Sequence, residues 1–377
     1  MFFNLNQYLS VLMAVLFANS FIFPVLLIPF LALTVVSFCI TLKAQYYIIN
    51  KQIFFIFFII VISILLPIVK SSSLYDVKVG IFLICSILFS YTLSYLKPIK
   101  SLTACLLPLL FSLVMFTYYA FNGISAEDFF PLNSRNFVAV TLFLGLFAYF
   151  ALSKNYTVSG RLIVLNLAIC FFCIYAVGRA GIVLSFVLLA FYSLNYVIDV
   201  TKKFKRESKL LVRMLMLMSV FTILVFLIDY LYTNDFLARI ISRGMHDLSR
   251  KNIIKEYLSS LDGTNLILGV KLAELELMNK FNNNLHNSYL SVHSSFGLIY
   301  SLFFMFLVSY SLVLSWRRKY YPVIFLMLVI LARGVSDIQV LAGRGDWVFY
   351  FVLFYLIQSQ QQMKKLVKVQ ILHTEKS

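Results

Sequence analysis

Charge is what this sequence lacks. Of 377 residues only 12% are charged, and only 15 residues are acidic. A soluble domain carries about a quarter charged residues and about half apolar ones. Here 62% are apolar and 17% aromatic, so too few charges exist to cover a water-facing surface. That shortage excludes a water-soluble enzyme, a disordered chain and a nucleic-acid-binding module. The net charge of +17 then belongs to the basic loops of a membrane protein. Basic residues are themselves missing from the start of the chain, where Lys43 is the first. Without a basic n-region, the first apolar stretch reads as a retained span and not as a cleaved signal peptide. The five cysteines (Cys39, Cys85, Cys105, Cys170 and Cys173) all fall inside apolar runs, which argues against disulfide staples. Cys170 and Cys173 have zinc-type spacing but no further ligands nearby, and read as small packing residues.

What is present is a series of long apolar runs. They fall at about 7–21, 25–42, 52–69, 77–96, 101–119, 136–153, 161–177, 180–198, 211–232, 288–315, 321–333 and 346–359. A spanning helix needs roughly 20 apolar residues, so the expectation is one all-α polytopic membrane domain, 1–377, with about twelve spans. Barrel-type alternation is absent from the runs, and lipid leaves helices as the alternative. With both termini placed in the cytoplasm, the inner segments hold 19 of the 32 basic residues and three of the 15 acidic ones (Asp199, Glu207 and Glu375). That asymmetry is what the positive-inside rule expects. Residues 233–287, between spans nine and ten, then form one long loop on the outer, periplasmic side. A loop of that length has work to do or structure of its own.

Four polar features fall on that outer side. In the long loop, Arg239, Arg243, His246 and Arg250 recur at helical steps beside an apolar stripe. Such a helix can lie on the membrane surface, where its guanidinium groups either grip a pyrophosphate bidentately or are simply solvated. Gly178-Arg179-Ala180-Gly181 puts a lone arginine with small neighbours at the mouth of two helices. It reads as a functional charge or as a snorkelling turn residue. His286-Asn287-Ser288-Tyr289-Leu290 opens span ten. Its histidine can take a proton near neutral pH, or the cluster is a polar helix start capped by Asn284 or Asn287. His293 reads as a structural hydrogen-bonding residue. Between the last two spans, Arg333 and Asp337 can pair at i, i+4 if helical, which leaves Arg344 as the freer cation. Absent are an Asp-x-Asp, a His-x-x-x-His on the outer side, a Walker loop and a Gly-x-Ser-x-Gly elbow. No metal site or cofactor is expected.

In this order the features resemble the O-antigen polymerase (Wzy) and O-antigen ligase group of bacterial envelope proteins. The resemblance rests on Gly178-Arg179-Ala180-Gly181, on Ser249-Arg250 leading to Leu268-Gly269-Val270, and on His286-Asn287-Ser288-Tyr289-Leu290 with Gly297-Leu298-Ile299 beyond. It covers about residues 178–299, and the hydropathy profile covers the rest. Gly178 stands where the family has Ser, and Lys271 where it has a second Gly. The resemblance implies a glycosyltransferase of the bacterial inner membrane whose substrates are oligosaccharides on undecaprenyl pyrophosphate, with a polysaccharide chain-length regulator as a possible protein partner. For that chemistry the outer residues are the candidates: His286 as base and Arg179 at the leaving group as catalytic, and Arg239, Arg243, Arg250 and Arg344 as pyrophosphate-binding. The alternatives are the ligase that moves finished glycan to a lipid A core and, in another class, a lipid-linked oligosaccharide flippase. A transporter's polar residues tend to sit at the midplane, whereas these gather on one face.

Overall fold

The computed structural model describes residues 2–20, 22–44, 74–126, 128–130, 135–202, 248–277, 285–336 and 345–374, with Phe58, Leu341 and scattered positions between 204 and 229. Among the described residues the structure is helical, with no strand. The long helices are α1 (Phe2–Asn19), α2 (Leu27–Ala44), α3 (Leu74–Tyr95), α4 (Leu102–Phe121), α5 (Phe137–Ser153), α6 (Gly160–Tyr175) and α7 (Arg179–Thr201). Two shorter ones follow, α8 (Leu248–Ser259) and α9 (Gly263–Leu268), and then α10 (Ser288–Arg317), α11 (Tyr321–Gly334) and α12 (Trp347–Thr374). The ten long helices coincide with ten of the apolar runs. The run at 52–69 lies almost wholly outside the described residues, and of the run at 211–232 only 211–215 and scattered positions are described, as helix. Four stretches are long and apolar enough to cross a membrane: Pro24–Thr41, Leu102–Phe121, Arg179–Thr201 and Ser288–Arg317. The remaining long helices are shorter apolar segments.

Helix α5 is the centre. Every residue from Phe137 to Leu152 is buried, as expected of a helix that is apolar all round. Against it pack α1, α4, α6, α7, α11 and α12. Close approach is possible where side chains are small: a Cβ on Gly181 of α7 would lie 2.7 Å from that of Ala139 on α5. Some polar side chains inside the bundle bond to its backbone or to each other. The Thr34 hydroxyl donates to Phe30 O at 2.8 Å, that of Ser112 to Asn19 Oδ1 at 2.7 Å and that of Ser90 to Trp347 O at 2.8 Å. Trp347 starts α12 deep in the bundle, among Phe17, Phe89 and Phe147. All five cysteines are free, with Cys39 exposed and the others buried.

Contacts between helix ends sort the basic residues. The Ile99 amide donates to Leu152 O, the Tyr156 and Tyr320 rings lie 4.2 Å apart, and Gly160 faces the Tyr196 hydroxyl. These contacts gather Lys97, Lys100, Lys154, Arg161, Lys202, Arg317, Arg318 and Lys319 at one end, the basic end. The other end carries the starts of α5, α7 and α10 and the finish of α11.

Helix α10 is not straight. Its 30 residues would measure about 45 Å unbroken, while the 14 residues of its neighbour α11 measure about 21 Å. Yet Ser288, the first residue of α10, lies against Gly334, the last of α11. Gly297 reconciles the two lengths. Its backbone is non-helical at φ 72°, ψ −177°, and it bends residues 288–296 over as an arm. The described part of the long loop packs on that arm. Ile253, Tyr257, Val270, Leu275 and Leu285 form a small core of their own, with Leu290 of the arm against it.

Candidate functional site

The end opposite the basic one is built from tight turns. Between α6 and α7 the chain reverses within three residues. Val177 takes the left-handed conformation there, φ 52°, and its amide donates to Ile174 O at 2.8 Å. Glycine or asparagine usually fills such a helix-terminating position. A β-branched residue there is an outlier that only its surroundings can hold. Gly178 follows, and then Arg179 as the first residue of α7, exposed at a helix N-terminus. Guanidinium and helix dipole are both positive there, which suits an anion.

His286 is held in the same way. It too is left-handed, φ 50°, and half-buried. Asn287 follows as the N-cap of α10, its side-chain oxygen accepting the Tyr289 and Leu290 amides at 2.9 and 3.1 Å. Of the two candidate caps, Asn287 is the one used, and Asn284 lies outside the described residues. The Tyr289 hydroxyl donates to Leu331 O at 2.9 Å, which fastens the arm to α11.

Arg333 joins these pieces. It is 2% exposed, at the finish of α11. One terminal nitrogen donates to the Ser336 hydroxyl at 2.6 Å, and the other to the carbonyl of Asn136, at the start of α5, at 3.2 Å. It also lies near enough to Cys173 of α6 to act on it electrostatically. Asn136 does not use its side chain to cap its own helix. Its Oδ1 instead lies 3.8 Å from where a Cβ would stand on Gly178. A chain of contacts therefore runs from Gly178-Arg179 through Asn136 and Arg333 to Gly334, Ser288 and so to His286. The i, i+4 pair expected of Arg333 has its partner, Asp337, outside the described residues.

His293 stands in the arm with both ring nitrogens engaged. Nε2 lies 2.9 Å from Leu266 O and Nδ1 2.6 Å from the Tyr257 hydroxyl. A carbonyl can only accept, so Nε2 carries the proton. In the neutral ring Nδ1 then accepts from Tyr257. Burial pushes the Tyr257 phenol above its ordinary value, which keeps it a donor. These bonds agree with the structural role expected of His293. The Ser294 hydroxyl adds a bond to Val270 O at 2.9 Å. Gly269 and Gly297, at φ 88° and 72°, interlock there: a side chain on Gly269 would run into the His293 and Ser294 carbonyls, and one on Gly297 into the Ile267 carbonyl.

Of the expected site residues, Arg179 and His286 come to one end of the bundle. Arg250 is half-buried near the start of α8, on the face of Ile253 and Tyr257 that packs toward the arm. Arg239, Arg243 and Arg344 lie outside the described residues, as does His246 of the same stripe. Asn136 was not singled out from sequence, although an Asn directly before an apolar run is a helix-start signal. Among the described residues no three His, Cys, Asp or Glu side chains gather as a metal site. Chemically, the end offers positive charge at Arg179, a histidine in a left-handed turn, and a buried arginine bonded to Ser336 and to the Asn136 carbonyl. No family of known proteins, no curated protein and no solved structure matches the chain.

Proposed function

We propose that this protein is an inner-membrane polysaccharide polymerase of the O-antigen type. In this reading the chain crosses the membrane about twelve times, with both termini and the basic end in the cytoplasm, and residues 233–287 are a periplasmic loop. The donor is a glycan on undecaprenyl pyrophosphate and the acceptor is a lipid-linked repeat unit. The acceptor hydroxyl attacks the anomeric carbon of the donor as its bond to the pyrophosphate oxygen breaks. His286 takes the hydroxyl proton. Arg179, aided by the α7 N-terminus, meets the charge that develops on the departing pyrophosphate. Arg239, Arg243, Arg250 and Arg344 are assigned to holding that pyrophosphate, and a chain-length regulator is the expected protein partner. The observation that carries the reading is the pairing of strain with chemistry. The two residues assigned to catalysis sit on or beside the two left-handed, non-glycine turns at this end, and the Asn136–Arg333 contact ties those turns together. Strain of this kind, of order 1–3 kcal/mol each, persists where placement matters more than stability.

The test is the lipopolysaccharide of a strain deleted for the gene and complemented with wild type, Arg179→Ala or His286→Ala. Polymerase failure leaves a single repeat on the core. Bare core with polymer left on the carrier would identify the ligase instead, and loss of periplasmic repeat units the flippase. Normal ladders from both variants, at normal protein levels, would overturn the site assignment.

A further inference from the structure

The long loop divides into two helices of opposite character. Helix α8 is mainly polar outside, with Lys251, Asn252, Lys255 and Ser259 exposed beside one apolar residue, Leu258, and with Ile253 and Tyr257 turned onto the loop core. Helix α9 shows the reverse. Leu266 and Ile267 are 40% and 52% exposed, and Asp262 caps the helix by accepting the Asn265 amide at 2.8 Å. The Ile267 carbonyl packs on Gly297 at the bend of α10. Directly beyond that bend α10 carries Ile299, Leu302, Phe306, Tyr310 and Val313, all exposed. Their spacing of three and four places them on one face. In one of the helices long and apolar enough to cross a membrane, that face meets lipid. The exposed Leu266 and Ile267 lie beside the bend at which that face begins.

We propose that α9 is a membrane-inserted element of the loop, with Leu266 and Ile267 in the lipid hydrocarbon beside α10 and with α8 in the headgroup and water layer. Backbone groups near membrane depth must find their partners in protein, and three at the end of α9 and just beyond it do so. Leu266 O meets His293, Val270 O takes the Ser294 hydroxyl, and the Gly269 amide donates to Asn265 O at 2.9 Å. The same bonds fix the arm that His286 precedes, so lipid beneath α9 holds the arm in place. The inference rests on α10 crossing a bilayer and is independent of the glycan-transfer reading.

The experiment uses the full-length chain with its five cysteines replaced, in nanodiscs of phosphatidylethanolamine and phosphatidylglycerol. Nitroxide labels are attached through Ile267→Cys, Leu266→Cys, Ile299→Cys and Lys255→Cys, one at a time. Each label is read for relaxation by oxygen, which concentrates in lipid, and by a polar nickel chelate, which stays in water. The expected result is that Ile267 and Leu266 follow Ile299, with oxygen favoured several-fold, while Lys255 favours nickel. Nickel access at Ile267 and Leu266 equal to that at Lys255 would overturn the proposal. Low access to both reagents at those two positions would also overturn it, because protein, such as a second copy of the chain, would then cover the patch. Aqueous maleimide labelling of the same four cysteines in native vesicles gives an independent reading: protection at 266 and 267 with labelling at 255 supports insertion, and equal labelling contradicts it.

Discussion

The two ends of the bundle use the same backbone conformation for different purposes. At the basic end Lys154 ends α5 in the left-handed region, φ 49°. Its ammonium donates to Ser94 O at 2.7 Å and to Leu96 O, and lies 4.9 Å from the centre of the Tyr355 ring. Its charge is absorbed by carbonyls at the end of α3, as a cation at a helix C-terminus should be. Lys319, exposed, is left-handed at that end too, φ 60°, and at the opposite end the left-handed non-glycine residues among those described are Val177 and His286. Valine gains no bond from its side chain to offset the strain, and the turn instead delivers an exposed arginine. A polar side chain spent on backbone carbonyls holds a fold together.

The largest expected effects come from breaking the strained end chemically. His286→Ala should lower polymer formation by about 10² to 10⁴, the usual cost of a lost general base, in protein that still folds and inserts. Polymerisation rate in purified, reconstituted protein checks it. Arg179→Ala should cost about 10² to 10³ by removing a fixed charge from the leaving group. Arg179→Lys should recover only part of it, because an ammonium lacks the planar fork. Full activity from Arg179→Lys would make the residue a simple surface charge.

Arg333→Lys is expected to act on structure first. An ammonium cannot serve Ser336 and the Asn136 carbonyl in the guanidinium's geometry, and a buried acceptor left unmet costs about 1–3 kcal/mol. A lower unfolding temperature in detergent should accompany reduced activity. A loss of activity with unchanged stability would instead place Arg333 in contact with substrate.

The basic end offers a pH test. Burial pushes the Lys154 amine down to about 7, below its ordinary range near 10.5. Between those values the unfolded chain binds a proton that the folded chain does not. Stability should therefore rise with pH across that window and level off below about 7. Thermal unfolding measured from pH 7 to pH 10 should show this contribution in the wild type and lose it in Lys154→Met. The smallest expected effect is Tyr257→Phe. It removes one hydrogen bond to His293 and should cost about 1 kcal/mol, read as faster proteolysis of the loop with the bundle intact.

Much of the bundle was legible because lipid imposes one rule on every span. Apolar runs become helices, and helix ends fall close to run ends at Phe137–Ser153 and Tyr321–Gly334, whereas α12 runs on to Thr374, well past its run. The Asn287 cap and the structural role of His293 were also legible, since both are local to a helix start or to a histidine with neighbours. The bend at Gly297 was not. A glycine in an apolar run is ordinary, and only the docking of Ile267 and Gly269 against it explains the break. Nor was the bond from Arg333 to the Asn136 carbonyl legible, because it spans 197 positions and sequence spacing sees only its own helix. The depth at which α12 starts, with Trp347 among Phe17, Phe89 and Phe147, likewise depends on three separate helices.

The central claim is that a charge on α7 and a histidine before α10 act together on a lipid pyrophosphate. The most direct measurement is polymerisation by purified protein in nanodiscs, given an undecaprenyl-pyrophosphate-linked repeat unit and a chelator. The account predicts a glycan ladder from the wild type and unextended repeat units from Arg179→Ala and His286→Ala, with the double variant no worse than about the more severe single one. Wild-type ladders from either single variant, or activity abolished by the chelator, would contradict it.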